Sequence, residues 1–175
     1  MTEVYKLEKG RCRVFWRALQ TLWIKLYGSN KIYISAINGH AIAGGCLIAL
    51  ACDYRIMANG SYKIGLNETI LVCYIINLRM ECLFIFSLKG LQPPFWLSEM
   101  MKNTIGHRQA EKALQFGELY STEEALSLKL VDKIVDLNDL ESESAKIVQE
   151  WMKIPSKDLM LDFNEIFINL NFIKI

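Results

Sequence analysis

Apolar residues recur at helical spacing from Arg11 to Tyr27. Val14, Ala18, Leu22 and Leu26 form one stripe, which Phe15, Leu19 and Trp23 widen. Gly28 and the Ser29-Asn30 pair stop that helix. Ile32 to Ile37 is short, β-branched and aromatic, the pattern of a buried strand, and Asn38-Gly39 breaks it. A glycine-bearing turn from His40 follows. The apolar run Cys46 to Ala51 then reads as a short helix opening at Gly44-Gly45. Asp53 to Ala58 reads as a second strand, Asn59-Gly60 as a turn, and Ser61 to Leu66 as a further extended stretch leading to Asn67-Glu68-Thr69. Strand, glycine turn, helix, strand is the local logic of a parallel α/β sheet.

Downstream, Trp96 to Lys102 is expected to be helical, with Pro94 near its first turn and a break at 104–107. Arg108 to Phe116 forms a helix ended by Gly117. Ser121 and Glu124 have the spacing of a capping box, opening a helix that runs to about Lys129. Leu130 to Val135 is read as a strand, and Asn138 as the cap of a last helix through Trp151. Two segments stand apart. Fifteen of the nineteen residues from Ile70 to Leu88 are apolar, without a period of 2 or 3.6. Arg79 and Glu81 in its middle argue against a membrane span, since a central Arg costs about 2.5 kcal/mol or more. The tail from Leu161 to Ile175 mixes Asn, Ile and Phe without a cap or stop.

Composition narrows the picture. At 175 residues and 52% apolar, the chain can bury a core, and its mean hydropathy of +0.17 owes much to the 70–88 run. Twenty basic against nineteen acidic residues leave a net charge of +1, which removes the electrostatic case for nucleic-acid binding. Five cysteines, odd in number and without a CxxC, indicate neither a disulfide framework nor a zinc site, and two histidines exclude a histidine-rich metal centre. No metal and no membrane span are expected. The first residues lack an apolar or Arg/Ser-rich leader pattern, so no targeting peptide is expected within them.

Two places could carry chemistry. The turn from Ala36 to Cys46 joins a buried strand to a helix start, where glycines let a ligand approach backbone N–H groups. That suits a phosphate or a developing oxyanion; it equally suits a tight strand–helix packing turn. It is neither a P-loop nor GxGxxG. Glu68 follows an extended segment among apolar neighbours, where burial would lift its pKa toward that of a useful base; the local sequence alone favours the plainer reading, a cap partner at a helix start. His40 reads as a loop residue near the surface, His107 as a residue that caps or packs at a helix start, and the Trp16/Trp23 pair as a core or interface stripe.

The strings Ser35-Ala36-Ile37-Asn38-Gly39, Ala43-Gly44-Gly45-Cys46, Cys52-Asp53-Tyr54-Arg55-Ile56 and Ile64-Gly65-Leu66-Asn67-Glu68 closely resemble the crotonase (enoyl-CoA hydratase/isomerase) superfamily. Pro94-Phe95-Trp96-Leu97 and Asn103 to Arg108 resemble its isomerase members in particular, and Glu124-Ala125-Leu126 into Leu130-Val131-Asp132 is similar to the usual late pattern. The resemblance covers roughly residues 2–69 and 91–155 and implies an α/β fold, a crotonase-like spiral of ββα units. The fold would be partial, with the N-terminal sheet and C-terminal helices truncated.

It also implies an isomerase that shifts the double bond of a 3-enoyl-CoA to the 2-trans position in fatty acid β-oxidation. Glu68 would move the proton from C2 to C4, and the Gly44 N–H would help hold the thioester enolate. No cofactor is implied beyond the coenzyme A of the acyl-CoA substrate. A homotrimer in the mitochondrial matrix is the implied setting. Hydratases of the superfamily carry a first glutamate where this chain has Leu47, so hydration is disfavoured.

Three departures accompany the likeness. The chain is expected to begin after the loop that supplies the other oxyanion N–H and part of the adenine-nucleotide site. Residues 70–90 interrupt the pattern behind Glu68. The helices that complete the acyl pocket and trimer contact are expected to be missing. One domain over 1–155, interrupted at 70–90, with an atypical tail at 156–175, is therefore expected. The alternative to an isomerase is a catalytically inactive truncated or mis-spliced product.

Overall fold

A computed structural model describes residues 9–68 and 95–153, and the backbone of 167–169. The expectations for 70–90 and for most of the tail lie outside those residues. Helix α1 spans Lys9–Tyr27. It ends where expected: Gly28 donates its N–H to the Ile24 carbonyl at 3.0 Å, and a Cβ on Gly28 would stand 2.9 Å from that same oxygen.

The buried stripe of α1 differs from the expected one. Leu26 is 8% exposed, while Leu19 and Trp23 pack against the core. Val14 and Leu22 instead face outward, at 68% and 40% exposure. The reason is the narrowness of the seam. Near its C-terminal end α1 docks through one aromatic group, in which the Trp23 ring lies 4.7 Å from Trp96 and stacks on Tyr27 at 5.3 Å. The Trp23 indole N–H is aimed at the Met100 sulfur, 3.0 Å away.

Strands β1 (Ile34–Ile37) and β3 (Tyr54–Ala58) pair in parallel, Ile34 opposite Tyr54. Strand β5 (Lys133–Val135) adds to β3, and β6 (Phe167–Asn169) adds to β1, both parallel, giving the order β5-β3-β1-β6. The tail thus contributes a strand that its composition did not announce. All four residues of β1 are buried, as a central parallel strand requires. Alternation then sorts side chains into two layers. Ile34, Ala36, Ile56 and Ala58 meet Leu140 and Ile147 of helix α6 (Leu140–Trp151). Ile37 and Met57 face the larger core with Cys46, Leu47, Leu97 and Met101.

A second, two-stranded sheet pairs β2 (Ala41–Ile42) with β4 (Ile64–Gly65), also in parallel. Between β2 and β3 runs helix α2, Gly44–Leu50. Helices α3 (Phe95–Ile105) and α4 (His107–Phe116) are separated by Gly106 alone, and Gly117 closes α4 in the left-handed conformation at φ 61°. The break is thus a single residue rather than the expected four.

Helix α5 (Thr122–Ser127) has the expected capping box. The Glu124 N–H donates to the Ser121 hydroxyl at 3.3 Å, and the Ser121 N–H donates to the Glu124 carboxylate at 2.7 Å. We expect Ser121→Ala to cost about 1 kcal/mol in a denaturant titration, the usual loss of an N-cap hydroxyl; an unchanged midpoint would remove the cap from the stability of this fold.

Two expectations need correction. Leu130 and Val131 are buried but not in a strand; β5 starts only at Lys133, because Asp132 turns its carboxylate onto Arg55, accepting from the Arg55 backbone N–H at 2.7 Å and pairing with its guanidinium at 3.1 Å. Asn138 caps nothing: a 3-10 turn, Leu137–Asp139, precedes α6, and Asp139 is its N-cap without a side-chain bond.

Candidate active site

The chain passes from β2 into α2 through one residue. Ile42 still pairs with Gly65, Gly44 is already helical, and Ala43 alone makes the turn. It does so at φ 54°, ψ −112°, a conformation L-residues avoid. Its N–H donates to the Gly65 carbonyl and its carbonyl accepts from the Leu47 N–H, both at 2.9 Å. No side chain caps α2, so the N–H groups of Gly44, Gly45 and Cys46 have no intrahelical acceptor. Gly44 is exposed, and a Cβ built on it would meet nothing within 4 Å. The turn therefore combines open space with backbone donors that find no acceptor within the helix.

Glu68 lies three residues beyond β4. As a residue it is partly buried, but its Oε2 is wholly shielded and has no hydrogen-bond partner among the described residues. Burial raises its pKa, and a backbone hydrogen bond only partly offsets that. A carboxylate kept from water and left unpaired is a stronger proton acceptor than a solvated one.

Cys46, in the first turn of α2, ties the two halves together. Its thiol is fully buried; burial pushes its pKa up, the Glu68 carboxylate adds to that rise, and a Gly65 backbone hydrogen bond opposes it. The pairing of Ile42 with Gly65, and the Ala43 N–H on the Gly65 carbonyl, bring the segment that leads to Glu68 alongside the start of α2. Position 47, just behind, is the buried Leu47.

The other candidates sit apart from this arrangement. His40 is exposed on the β1–β2 loop, its Nδ1 accepting from the Lys63 N–H at 3.1 Å and its ring edge-on to Tyr62. His107 opens α4 on the surface, 3.5 Å from Glu111. A polar cavity of about 330 Å³ lies at the far end of α2, between Tyr27, Leu50, Arg55, Asn103, Lys129 and Asp132. Its central pair, Arg55 and Asp132, is already engaged in joining β3 to the approach of β5, and Arg55 also donates to the Cys52 carbonyl. Among the described residues no group of three metal-ligating side chains converges, and no helix is long and apolar enough to cross a membrane. Sequence reasoning missed Ala43; an alanine gives no sign that its backbone occupies a glycine position.

A parallel sheet flanked by helices, with a glycine turn into α2 and a shielded carboxylate three residues after β4, is the crotonase type of α/β fold. The family model for enoyl-CoA hydratase/isomerase matches residues 1–165, and the chain belongs to that family. Enoyl-CoA delta isomerase 1, mitochondrial, of Mus musculus is 41% identical over 165 residues, covering 94% of this chain and 51% of that protein. Its Homo sapiens counterpart is 46% identical over 156 residues, covering 89% of this chain and 46% of that protein. The crystal structure of human mitochondrial Δ3-Δ2-enoyl-CoA isomerase superposes with a TM-score of 0.74 at 42% identity, covering 88% of this chain and 53% of that one. The chain thus spans about half the length of the curated relatives it matches.

Proposed function

We propose that the chain carries the acid–base centre of an isomerase that converts 3-enoyl-CoA to 2-trans-enoyl-CoA. One observation carries this reading: among the described residues Glu68 is the one carboxylate with an oxygen that is both shielded and unpartnered, and position 47 is leucine. The C2 protons of a 3-enoyl thioester are acidified by both the carbonyl and the alkene. Glu68 takes one of them, and the electron pair spreads over C2 to C4 and the thioester oxygen. The Gly44 N–H holds that oxygen as its charge develops; such a donor contributes roughly 2.7–4 kcal/mol to the barrier. Glu68 then returns the proton at C4, and the double bond comes to rest in conjugation.

A single base serves this shuttle because the proton that leaves is the one that returns. Adding water would require a second group to orient and deprotonate it, and a buried leucine does neither. The coenzyme A moiety belongs to the substrate, and the reaction as written draws on no metal or redox group. The names of the similar proteins support a mitochondrial location.

The test is direct. Incubating the chain with trans-3-hexenoyl-CoA is expected to raise the ultraviolet absorbance of the conjugated thioester, with no added cofactor and without 3-hydroxyacyl-CoA forming. Absence of conjugated product from well-folded protein would remove the isomerase reading, and 3-hydroxyacyl-CoA as the first product would replace it with hydration.

A further inference from the structure

Helix α1 is charged in one sense only. Five of the chain's twenty basic residues, and none of its nineteen acidic ones, fall between Lys9 and Tyr27. The rest of the chain is therefore net acidic, and the near-neutral total conceals a basic helix. Arg11, Arg17 and Lys25 are exposed, and the ion pairs formed among the described residues all lie elsewhere.

The same helix leaves an apolar face uncovered. Val14, Ala18 and Leu22 are exposed and recur four residues apart, so they form one line along the helix. Exposed Phe15 broadens that line beside Ala18. Arg11 stands three residues before Val14 and Lys25 three after Leu22, so a cation closes the line at each end, while Arg17, three residues after Val14, flanks it. From Arg11 to Lys25 the stripe is roughly 21 Å long at the rise of an α-helix. On the other side of α1, Leu19, Trp23 and Leu26 hold the helix to the core.

Charge and shape together select the partner. A second copy of the chain meets its own kind: antiparallel stacking of two such stripes sets Arg11 against Lys25, parallel stacking sets each cation on its equal, and α1 has no acidic residue to relieve either. A nucleic-acid backbone would satisfy the cations and leave the apolar line in water. A protein groove that engulfs a basic amphipathic helix would need the inner seam, where Trp23 already packs on Trp96 and meets Met100. A bilayer surface is flat and takes one face only. It receives apolar side chains below its headgroups and cations among them. The helix is not long and apolar enough to cross that bilayer, so it can only lie on it.

We propose that the outward face of α1 docks on the surface of an anionic lipid bilayer, with the helix lying in the plane of the interface. Val14, Phe15, Ala18 and Leu22 enter the boundary between headgroups and acyl chains, and Arg11, Arg17 and Lys25 meet the lipid phosphates. The inference rests on α1 alone and stands apart from the acyl-CoA reading above.

The experiment floats the full chain with vesicles of phosphatidylcholine alone, and with vesicles in which about one-third of the lipid is phosphatidylglycerol. Wild type is expected to bind the anionic vesicles at least about tenfold more tightly, since each cation near such a surface is worth about fivefold. Raising the salt from about 0.05 M to about 0.5 M should remove most of that preference. Arg11→Glu with Lys25→Glu is expected to lose at least about tenfold on anionic vesicles. Val14→Ser with Leu22→Ser is expected to lose about fivefold or more while keeping its charges. These side chains are exposed, so both variants should melt within a few degrees of wild type. Should one not fold, Arg17→Glu or Phe15→Ser takes its place, with a several-fold loss expected. Equal binding to the two kinds of vesicle, or binding to neither, overturns the proposal. Wild-type binding by the charge variant does so too. Wild-type binding by the serine variant would reduce the contact to diffuse charge and overturn the docked helix. Light scattering completes the test: a wild-type dimer that the serine variant abolishes would assign the face to a second copy instead.

Discussion

Glu68→Gln is expected to lower the rate of double-bond migration by roughly 10²–10⁴-fold, the usual contribution of a positioned general base, while acyl-CoA binding changes little. The amide keeps the shape of the carboxylate and cannot accept the proton. The pH dependence follows from the burial that raises the Glu68 carboxyl. Turnover needs the charged form, so activity should appear as pH rises through a pKa raised above that of a solvated glutamate. Stability runs the opposite way. Folding disfavours the charged form, so the stability this group supplies is fully present below its unfolded pKa and is lost as pH rises through the raised folded value. Glutamine carries no such charge. The variant should therefore match or exceed the melting temperature of the wild type at neutral pH, and the difference should shrink in acid. Turnover per mole equal to wild type would take Glu68 out of the mechanism. A variant less stable at neutral pH than in acid, relative to wild type, would contradict its burial as a charge.

Gly65→Ala is expected to cost the most stability. A Cβ there would lie 2.5 Å from the Glu118 carbonyl oxygen and 3.1 Å from Leu119 Cδ2, at a φ of +154° that suits glycine. A backbone oxygen cannot swing aside as a side-chain tip does. Overpacking and backbone strain together make the cost about 2–6 kcal/mol, or a melting temperature lower by roughly 5–20 °C. The damage would also reach the site, because Gly65 accepts from Ala43 and stands three residues before Glu68. A Gly65→Ala protein melting like wild type would mean that β4 and the 118–120 segment separate at little cost.

Much of this architecture was legible in the sequence, and the failures have physical causes. Long periodic runs such as Arg11–Tyr27, the β-branched run ending at Ile37, and the Ser121–Glu124 box all became the expected elements, because local chemistry and tertiary packing agree there. The outward turn of Val14 and Leu22 was not legible: a periodic stripe says which residues share a face, and the partner's width decides how many of them are covered. Strands as short as β2 and β4 carry no period at all; they exist because Ala41 and Ile42 find Ile64 and Gly65. The family likeness singled out Gly44 and Glu68 as site residues; the strand pairing that brings the segment before Glu68 beside the start of α2 has no signal in the local sequence. The strain at Ala43 leaves no trace in the letter A.

The pairing of β6 with β1 has a consequence for how the chain is made. Ile34 lies opposite Phe167, and a strand pair separated by roughly 130 residues closes late, since the entropy of a long loop must be met before its contacts form. During synthesis β1 and β3 emerge well before β6, and among the described residues no other strand pairs with the β6 side of β1. An unpaired edge on a buried, apolar strand is a template for other nascent chains. Yield in cells should therefore depend on synthesis rate and chaperone supply more steeply than the melting temperature of the finished protein suggests.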